Sequence, residues 1–371
     1  MKWKTCMKIL QLGKFYPVRG GVEKVMWDLA RGISARGVDC DMLCATLDAP
    51  QVIEFNPHGR CICLKAWKKV AATMICPAMI GWMRSHCREY DIVHIHHPDP
   101  MACLALRLSG FKGRVVLHWH SDILKQKGLL KLYLPLQRWL IRRADRIVGT
   151  TPVYVAQSRA LAGVQDKVTY LPIGIEDDIR SEVPAAGDGR VTVFALGRLV
   201  EYKGFEYLIE AARYLPEGYR ILIGGQGPLK DVLQARIDAL PEEGCADVGL
   251  LGYLSDGQAH ELFNSCSLFC LPSVMKTEAF GIVQLEAMSC GKPVVATHIP
   301  ESGVDWVNED GVSGLNVAPR DPQALARAIL AVTSDGEAYG RFCDGARRRF
   351  EGMFTYDGMI DKCLKIYETE L

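Results

Sequence analysis

The chain has 371 residues, 49% hydrophobic and 23% charged, a balance that excludes a disordered or fibrous protein. That length exceeds what one ordinary core organises, so two domains are expected. The net charge of +1 hides a division: residues 1–171 carry 26 Lys and Arg against 12 Asp and Glu, which leaves 18 against 31 of the totals 44 and 43 for the remainder, and predicts that the first half meets an anionic surface.

In chain order, the opening MKWKTCMKILQLG has bases but no apolar run of signal-peptide length. KILQLG (8–13) reads as a strand leading through Gly20-Gly21 into a helix with Val22, Val25, Met26, Leu29 and Ile33 at helical spacing. Asp39-Cys-Asp41 resembles an Asp-x-Asp metal motif. It precedes its apolar strand residues instead of following them, so it is read as the opening of a strand. The greasy stretch Val70 to Met83 is interrupted by Thr73, Pro77 and Gly81 and is too short to span a bilayer. Fourteen cysteines include no CxxC pair, Cys61 and Cys63 being two apart; they are read as reduced thiols of a cytosolic protein.

DIVHIHH (91–97), RVVLHWH (114–120), RIVGTT (146–151) and KVTYLPIG (167–174) read as further strands. Among them, KQKGLLKLYLPLQRWLIRRADR (125–146) sets seven bases and one acid among Leu, Tyr and Trp. Pro135 predicts two helical pieces there. Such a stretch suits an anionic membrane surface or an acceptor, and equally a pair of buried helices with solvated basic faces. No nucleic-acid-binding module is recognisable.

IEDDIRSEVPAAGDGR (175–190) is polar and aperiodic, a linker. The pattern then restarts with VTVFALG (191–197), YRILIGG (219–225), SLFCLPS (267–273) and KPVVATH (292–298). Continuous apolar strands alternating with helices imply parallel sheets covered on both faces. The expected fold class is therefore α/β: two tandem doubly wound, Rossmann-like domains over 1–174 and 191–353, with an interdomain cleft as the default ligand site. FTYDGMIDKCLKIYE (354–368) reads as a final helix, with 354–371 returning to the first domain.

The stretch EAFGIVQLEAM (278–288) carries two acids around a glycine. A helix starting near Gly281 would point the amides of Gly281, Ile282 and Val283 at an anion. Glu286 then stands where a carboxylate holds ribose hydroxyls, and Glu278 where a sugar would lie. The alternative is a capping glutamate and a solvated helix acid. In GRLVEYKG (197–204), Arg198 and Lys203 follow a strand and offer fixed positive charge to a diphosphate, or are two surface bases. Gly20-Gly21 offers further backbone amides, or is a plain turn. GGQGP (224–228) lacks the GxGxxG spacing of a dinucleotide loop. HWHSD (118–122) has the HxHxD spacing of some zinc hydrolases, making His118, His120 and Asp122 a rival metal site. The plainer reading makes His118 a buried imidazole and places His120, nearer the strand's carboxyl end, toward a ligand.

Taken together, Gly20-Gly21, His120, Arg198, Lys203, Glu278 and Glu286 resemble the retaining glycosyltransferases of family 4, with their two-domain GT-B fold. The likeness covers nearly the whole chain, and the six residues before Met7 look like an extension of it. It implies that Arg198 and Lys203 clamp the donor diphosphate and that Glu286 binds the ribose. Glu278 would contact the sugar beside the amides of Phe280, Gly281, Ile282 and Val283, and His120 would lie near the anomeric centre. Gly20 and Gly21 would close on the phosphates. It also implies transfer with retention, without metal or other cofactor, from a nucleotide-diphosphate sugar. The surplus of bases in residues 1–171 tips the expected acceptor toward a lipid-linked saccharide at the inner face of the cytoplasmic membrane. GDP-mannose is the leading donor, ahead of UDP-sugars, on a likeness to bacterial polysaccharide and lipopolysaccharide mannosyl- or rhamnosyltransferases. A sugar-nucleotide epimerase of the same fold and the zinc hydrolase are the alternatives.

Overall fold

Residues 9–14 of the first strand are buried without alternation, the pattern of a strand covered on both faces. The computed structural model describes residues 7–18, 20–70, 73–123, 127–181 and 189–369, with the backbone alone for 127–130 and 132. The expected extension 1–6, the start of the basic segment at 125–126 and the linker centre 182–188 lie outside the described residues. The chain divides into a first unit of residues 1–172 with 359–371, and a second of residues 173–358.

The first unit contains β1 (Lys8–Phe15), β2 (Asp39–Thr46), β3 (Gln51–Asn56), β4 (Gly59–Lys65), β5 (Lys68–Val70), β6 (Thr73–Ile75), β7 (Ile92–His97), β8 (Arg114–Trp119), β9 (Arg146–Gly149) and β10 (Val168–Tyr170). Eight of them form one sheet in the order β10-β9-β8-β7-β1-β2-β4-β3. All pair in parallel except β3, an antiparallel edge on β4, while β5 and β6 make a separate hairpin. Asp39 and Asp41 open β2: Asp39 takes His58 at 2.9 Å, and Asp41 accepts the Tyr90 hydroxyl at 2.7 Å.

The helix Lys127–Arg143 is continuous, which corrects the expectation that Pro135 splits it. Proline removes one backbone donor. Pro135 and Lys131, one turn earlier, are both exposed, so water can serve the carbonyl left without a partner. The helix Tyr356–Glu368 buries Met359, Ile360, Cys363, Leu364 and Tyr367, which share a face at helical spacing. It is held to the first unit by Arg36, 2.5 Å from Asp361, and by Arg114, which donates to the Tyr367 carbonyl at 2.5 Å near the helix's negative end.

The second unit is a six-stranded parallel sheet of β11 (Val191–Leu196), β12 (Tyr219–Gly224), β13 (Asp247–Gly252), β14 (Leu268–Leu271), β15 (Val294–Thr297) and β16 (Gly314–Val317), in the order β13-β12-β11-β14-β15-β16. Alternate residues of β11 serve opposite faces. Val193 and Ala195 join Phe205, Ile209, Leu325 and Ile329 in one core, while Phe194 meets Phe263 edge-on at 5.1 Å. Each sheet reverses its strand order beside its first strand, between β1 and β7 and between β11 and β14. Loops after those strands are where ligands bind in such sheets. Among the described residues no helix is long and apolar enough to cross a membrane.

Candidate active site

In the second unit the loops after β11 and β14 are pressed together at the switch point. Gly204 has φ +65°, and a Cβ there would stand 2.2 Å from the Pro272 carbonyl oxygen, so glycine is required both for conformation and for space. Val274 donates its amide to the Tyr202 carbonyl at 2.8 Å, stitching one loop to the other. The result carries Lys203, in the short 3-10 turn Glu201–Lys203, against Glu278. Lys203 Nζ lies 2.6 Å from Glu278 Oε2, with only 9% and 12% of the two side chains exposed. Ser273 donates its hydroxyl to the same Oε2 at 3.1 Å, and Ser302 donates to the Glu278 carbonyl at 2.5 Å. The carboxylate is thus fixed through both its side chain and its backbone.

Lys203 and Glu278, expected on different parts of a donor, are therefore in direct contact with each other. Arg198 is apart from them: it is exposed and reaches the Tyr202 hydroxyl at 3.4 Å. The helix begins at Val283 and runs only to Ser289, two residues later than the expected start. Gly281 adopts φ +74°, which turns the chain before the helix instead of opening it. Gln284 and Leu285 donate their amides to Gly281 and Ile282 at 2.9 and 2.8 Å, closing the first turn. The Phe280 ring is a core anchor, 4% exposed and edge-on to Phe354 at 6.0 Å. Glu286 is half-buried on the helix. Ser273 and Ser302 carried no motif, and only the backbone path brings them to Glu278.

In the first unit Gly20 precedes the helix Gly21–Ala35, and Gly20 and Gly21 are both exposed. The Glu23 carboxylate folds back over this turn: a Cβ on Gly20 would lie 2.5 Å from its Oε2. The helix's positive end is thus faced by its own acid. At the carboxyl ends of β1 and β7, Asp99 accepts from the Lys14 amide at 2.6 Å and caps the following helix through Met101 and Ala102 at 3.0 Å each. Lys14, with φ +59°, donates Nζ to the Pro98 carbonyl at 2.6 Å.

His120 stands just past β8 and is 5% exposed. Gln11, His94, His96 and His118 share one sheet face with it, by the register of β1, β7 and β8. His120 Nε2 meets His96 Nδ1 at 2.8 Å, and His96 Nε2 meets Gln11 Oε1 at 2.8 Å. Burial, reinforced by the neighbouring imidazoles, holds His94, His96 and His120 well below the ordinary histidine pKa, and burial brings His118 down to about 3. All four are neutral at physiological pH.

Among the described residues two clusters invite a metal. Nitrogens of His94, His96 and His118 lie within 4.8 Å of one another. Their rings, however, are stacked, with interplanar angles of 15–29°. Imidazole lone pairs lie in the ring plane, so stacked rings do not converge on one ion. Asp122, the third member of HWHSD, instead accepts from Trp119 Nε1 at 3.0 Å and the Ser158 hydroxyl at 2.8 Å. The zinc-hydrolase alternative thus loses its geometry. Cys44, Cys61 and Cys63 have sulfurs 3.5–3.6 Å apart, closer than the roughly 3.8 Å implied by tetrahedral zinc–sulfur bonds. Among the described residues no fourth donor groups with them, and they read as packed buried thiols.

The sequence matches two family descriptions: "Glycosyltransferase Family 4" over residues 19–179 and "Glycosyl transferases group 1" over residues 176–349. It is 34% identical to the O-antigen chain mannosyltransferase C of Escherichia coli, over 98% of this chain and 99% of that protein. It is 29% identical to the D-rhamnosyltransferase WbpZ of Pseudomonas aeruginosa, over 94% and 92%. The crystal structure of Anabaena HepE in complex with UDP superposes with a TM-score of 0.78 at 21% identity, covering 97% of this chain and 99% of that one. On that identity and coverage, and with the fold likeness of the superposition, the chain belongs to the family 4 glycosyltransferases of GT-B fold.

Proposed function

We propose that this glycosyltransferase moves a hexose, with GDP-mannose the leading donor, onto a lipid-linked saccharide in cell-surface polysaccharide synthesis, with retention at the anomeric carbon. The observation that carries the reading is the Lys203–Glu278 pair, built at the second unit's switch point and fixed by Ser273 and Ser302. A diphosphate arriving there competes for the Lys203 ammonium, and Arg198, exposed beside the same loop, adds a second charge. Glu278, released from the lysine but still held by the two serines, accepts from hydroxyls of the sugar. Glu286 takes the ribose, beside the turn of Gly281, Ile282 and Val283.

In the reaction the bond from the anomeric carbon to the diphosphate oxygen breaks, and a bond from that carbon to an acceptor hydroxyl forms on the same face. The acceptor's proton passes to the departing diphosphate. Lys203 and Arg198 stabilise the charge that develops on the leaving group, so no metal is needed. His120 of the first unit is assigned to the sugar or the acceptor path. The mannosyl choice is supported by the name of the O-antigen relative, and the name of the other relative makes rhamnosyl transfer the variant to compare. A panel of GDP- and UDP-sugars, read by nucleotide release with and without EDTA, tests the reading. GDP-mannose should turn over best and EDTA should leave the rate unchanged. Preference for a UDP-sugar would replace the donor, and loss of turnover restored by magnesium would overturn the metal-free mechanism.

A further inference from the structure

Behind His120 the first unit buries a polar chain whose other members have no part in the transfer reaction. From His120 it runs through His96 to Gln11, as described, and continues from Gln11 Nε2 to the Tyr367 hydroxyl at 3.0 Å and from that hydroxyl to His94 Nδ1 at 2.5 Å. Gln11, His94 and His96 have no exposed surface, and Tyr367 is 1% exposed. Buried polar groups held in one unbroken chain are mutually constraining, because each link dictates the next.

A neutral imidazole has one N–H donor and one bare acceptor. If Gln11 Oε1 faces His96, it can only accept. His96 then carries its proton on Nε2, His120 carries its proton on Nε2, and His120 Nδ1 is bare. At the other end Gln11 donates to Tyr367, Tyr367 donates to His94, and His94 is left with an N–H at Nε2. That atom is buried and has no partner among the described residues. Turning the Gln11 amide by 180° reverses every link, and the two amide atoms are interchangeable on geometric grounds. Gln11 then donates to His96, His96 donates to His120 Nε2, and the proton of His120 sits on Nδ1. His94 Nε2 becomes a bare acceptor. Orphaned buried N–H groups are rarer than under-used acceptors, which favours this second polarity. Cys40 Sγ, 3.8 Å from the same amide nitrogen position, then gives its S–H to the turned oxygen.

We propose that Gln11, His96 and Tyr367 are positioning residues for His120, a chain that commits its Nε2 inward as an acceptor and leaves it a hydrogen-bond donor at Nδ1. His120 thereby meets an oxygen of the sugar or acceptor as an N–H group and not as a base. Tyr367 gives the C-terminal helix a part in this, since its hydroxyl links the Gln11 amide to His94, whose buried Nε2 sets the polarity of the chain. The inference rests on the assignment of His120 to the sugar or acceptor path, but its tautomer readout does not.

The test is the imidazole nitrogen spectrum of uniformly 15N-labelled protein, with His120 identified by its loss in His120→Gln. The unsubstituted protein should show His120 in one tautomer, protonated at Nδ1. In Tyr367→Phe, which removes only a hydroxyl, and in Gln11→Leu, folded protein should show a mixture of the two tautomers. With donor, these variants should lower kcat by roughly tenfold while changing KM less. An Nε2-protonated or mixed His120 in the unsubstituted protein overturns the proposal, as does an unchanged single tautomer in both folded variants. Failure of the sugar assignment is a separate result: His120→Gln would then turn over donor at the unsubstituted rate whatever the spectrum shows.

Discussion

Lys203 Nζ and Glu278 Oε2 are 2.6 Å apart, in side chains that keep 9% and 12% of their surface. Removing one member of such a pair leaves a charge desolvated and uncompensated, a loss of about 3–5 kcal/mol for a fully buried pair and somewhat less here. Removing both avoids that penalty.

A double-mutant cycle on Lys203→Met and Glu278→Gln should therefore be strongly non-additive in urea unfolding. The double variant is expected to be more stable than the sum of the single losses by at least about 1 kcal/mol. Additive losses would mean that the pair is not formed in solution. Arg198→Ala, at an exposed position, should shift stability by less than about 0.5 kcal/mol while raising the donor KM.

Two glycines should part company when given a methyl group. At Gly204 the new Cβ meets a backbone carbonyl at 2.2 Å and φ is +65°, so Gly204→Ala should cost about 1–3 kcal/mol. At Gly20 φ is −142° and the close atom is the movable end of Glu23, so Gly20→Ala should cost only a few tenths of that. Thermal unfolding of the two variants side by side checks the contrast, and equal losses would contradict it.

Burial lowers the pKa of His94, His96, His97, His118 and His120 in the folded chain. As pH falls through about 6.5 the unfolded chain takes up protons that the folded chain refuses. Their contribution to stability is complete above that pH and is lost on the way down, toward about 3 for His118. Urea unfolding midpoints should fall steeply below about pH 6.5, and His118→Phe should make the fall shallower by up to ~1.4 kcal/mol per pH unit. Parallel pH profiles for the two proteins would count against it.

The surplus of bases in residues 1–171 predicts attraction to anionic headgroups, a peripheral association at a cytoplasmic membrane face. In a flotation assay the protein should rise with vesicles containing phosphatidylserine or phosphatidylglycerol, stay behind with neutral vesicles, and release in high salt. Equal indifference to both vesicle types would remove membrane docking from the account.

Much of the architecture was legible because parallel strands buried on both faces leave near-continuous apolar runs, as in VTVFAL and YRILIG. The β3–β4 hairpin was not, since QVIEFN and GRCICLK sit at an edge and mix charge with cysteine. Pro135 misled because a proline's effect depends on whether its neighbours are solvated, which only the fold reveals. The acids and bases of the candidate site were visible as EAFGIVQLE and GRLVEYKG. That Lys203 would touch Glu278 was not, because the contact depends on two loops closing at Gly204. Gln11, His96 and Tyr367 were hidden for a related reason: their relation exists only across three separate elements. The signal available was the alternation of polar residues His94, His96, His118 and His120 along strands that are otherwise apolar.

The most direct measurement is kcat/KM for GDP-mannose in folded Lys203→Ala and Glu278→Ala, read by release of GDP. Each should fall by roughly 10²–10³, the scale of losing one fixed electrostatic contact to the transition state. Turnover within about threefold of the unsubstituted enzyme in either variant would contradict it.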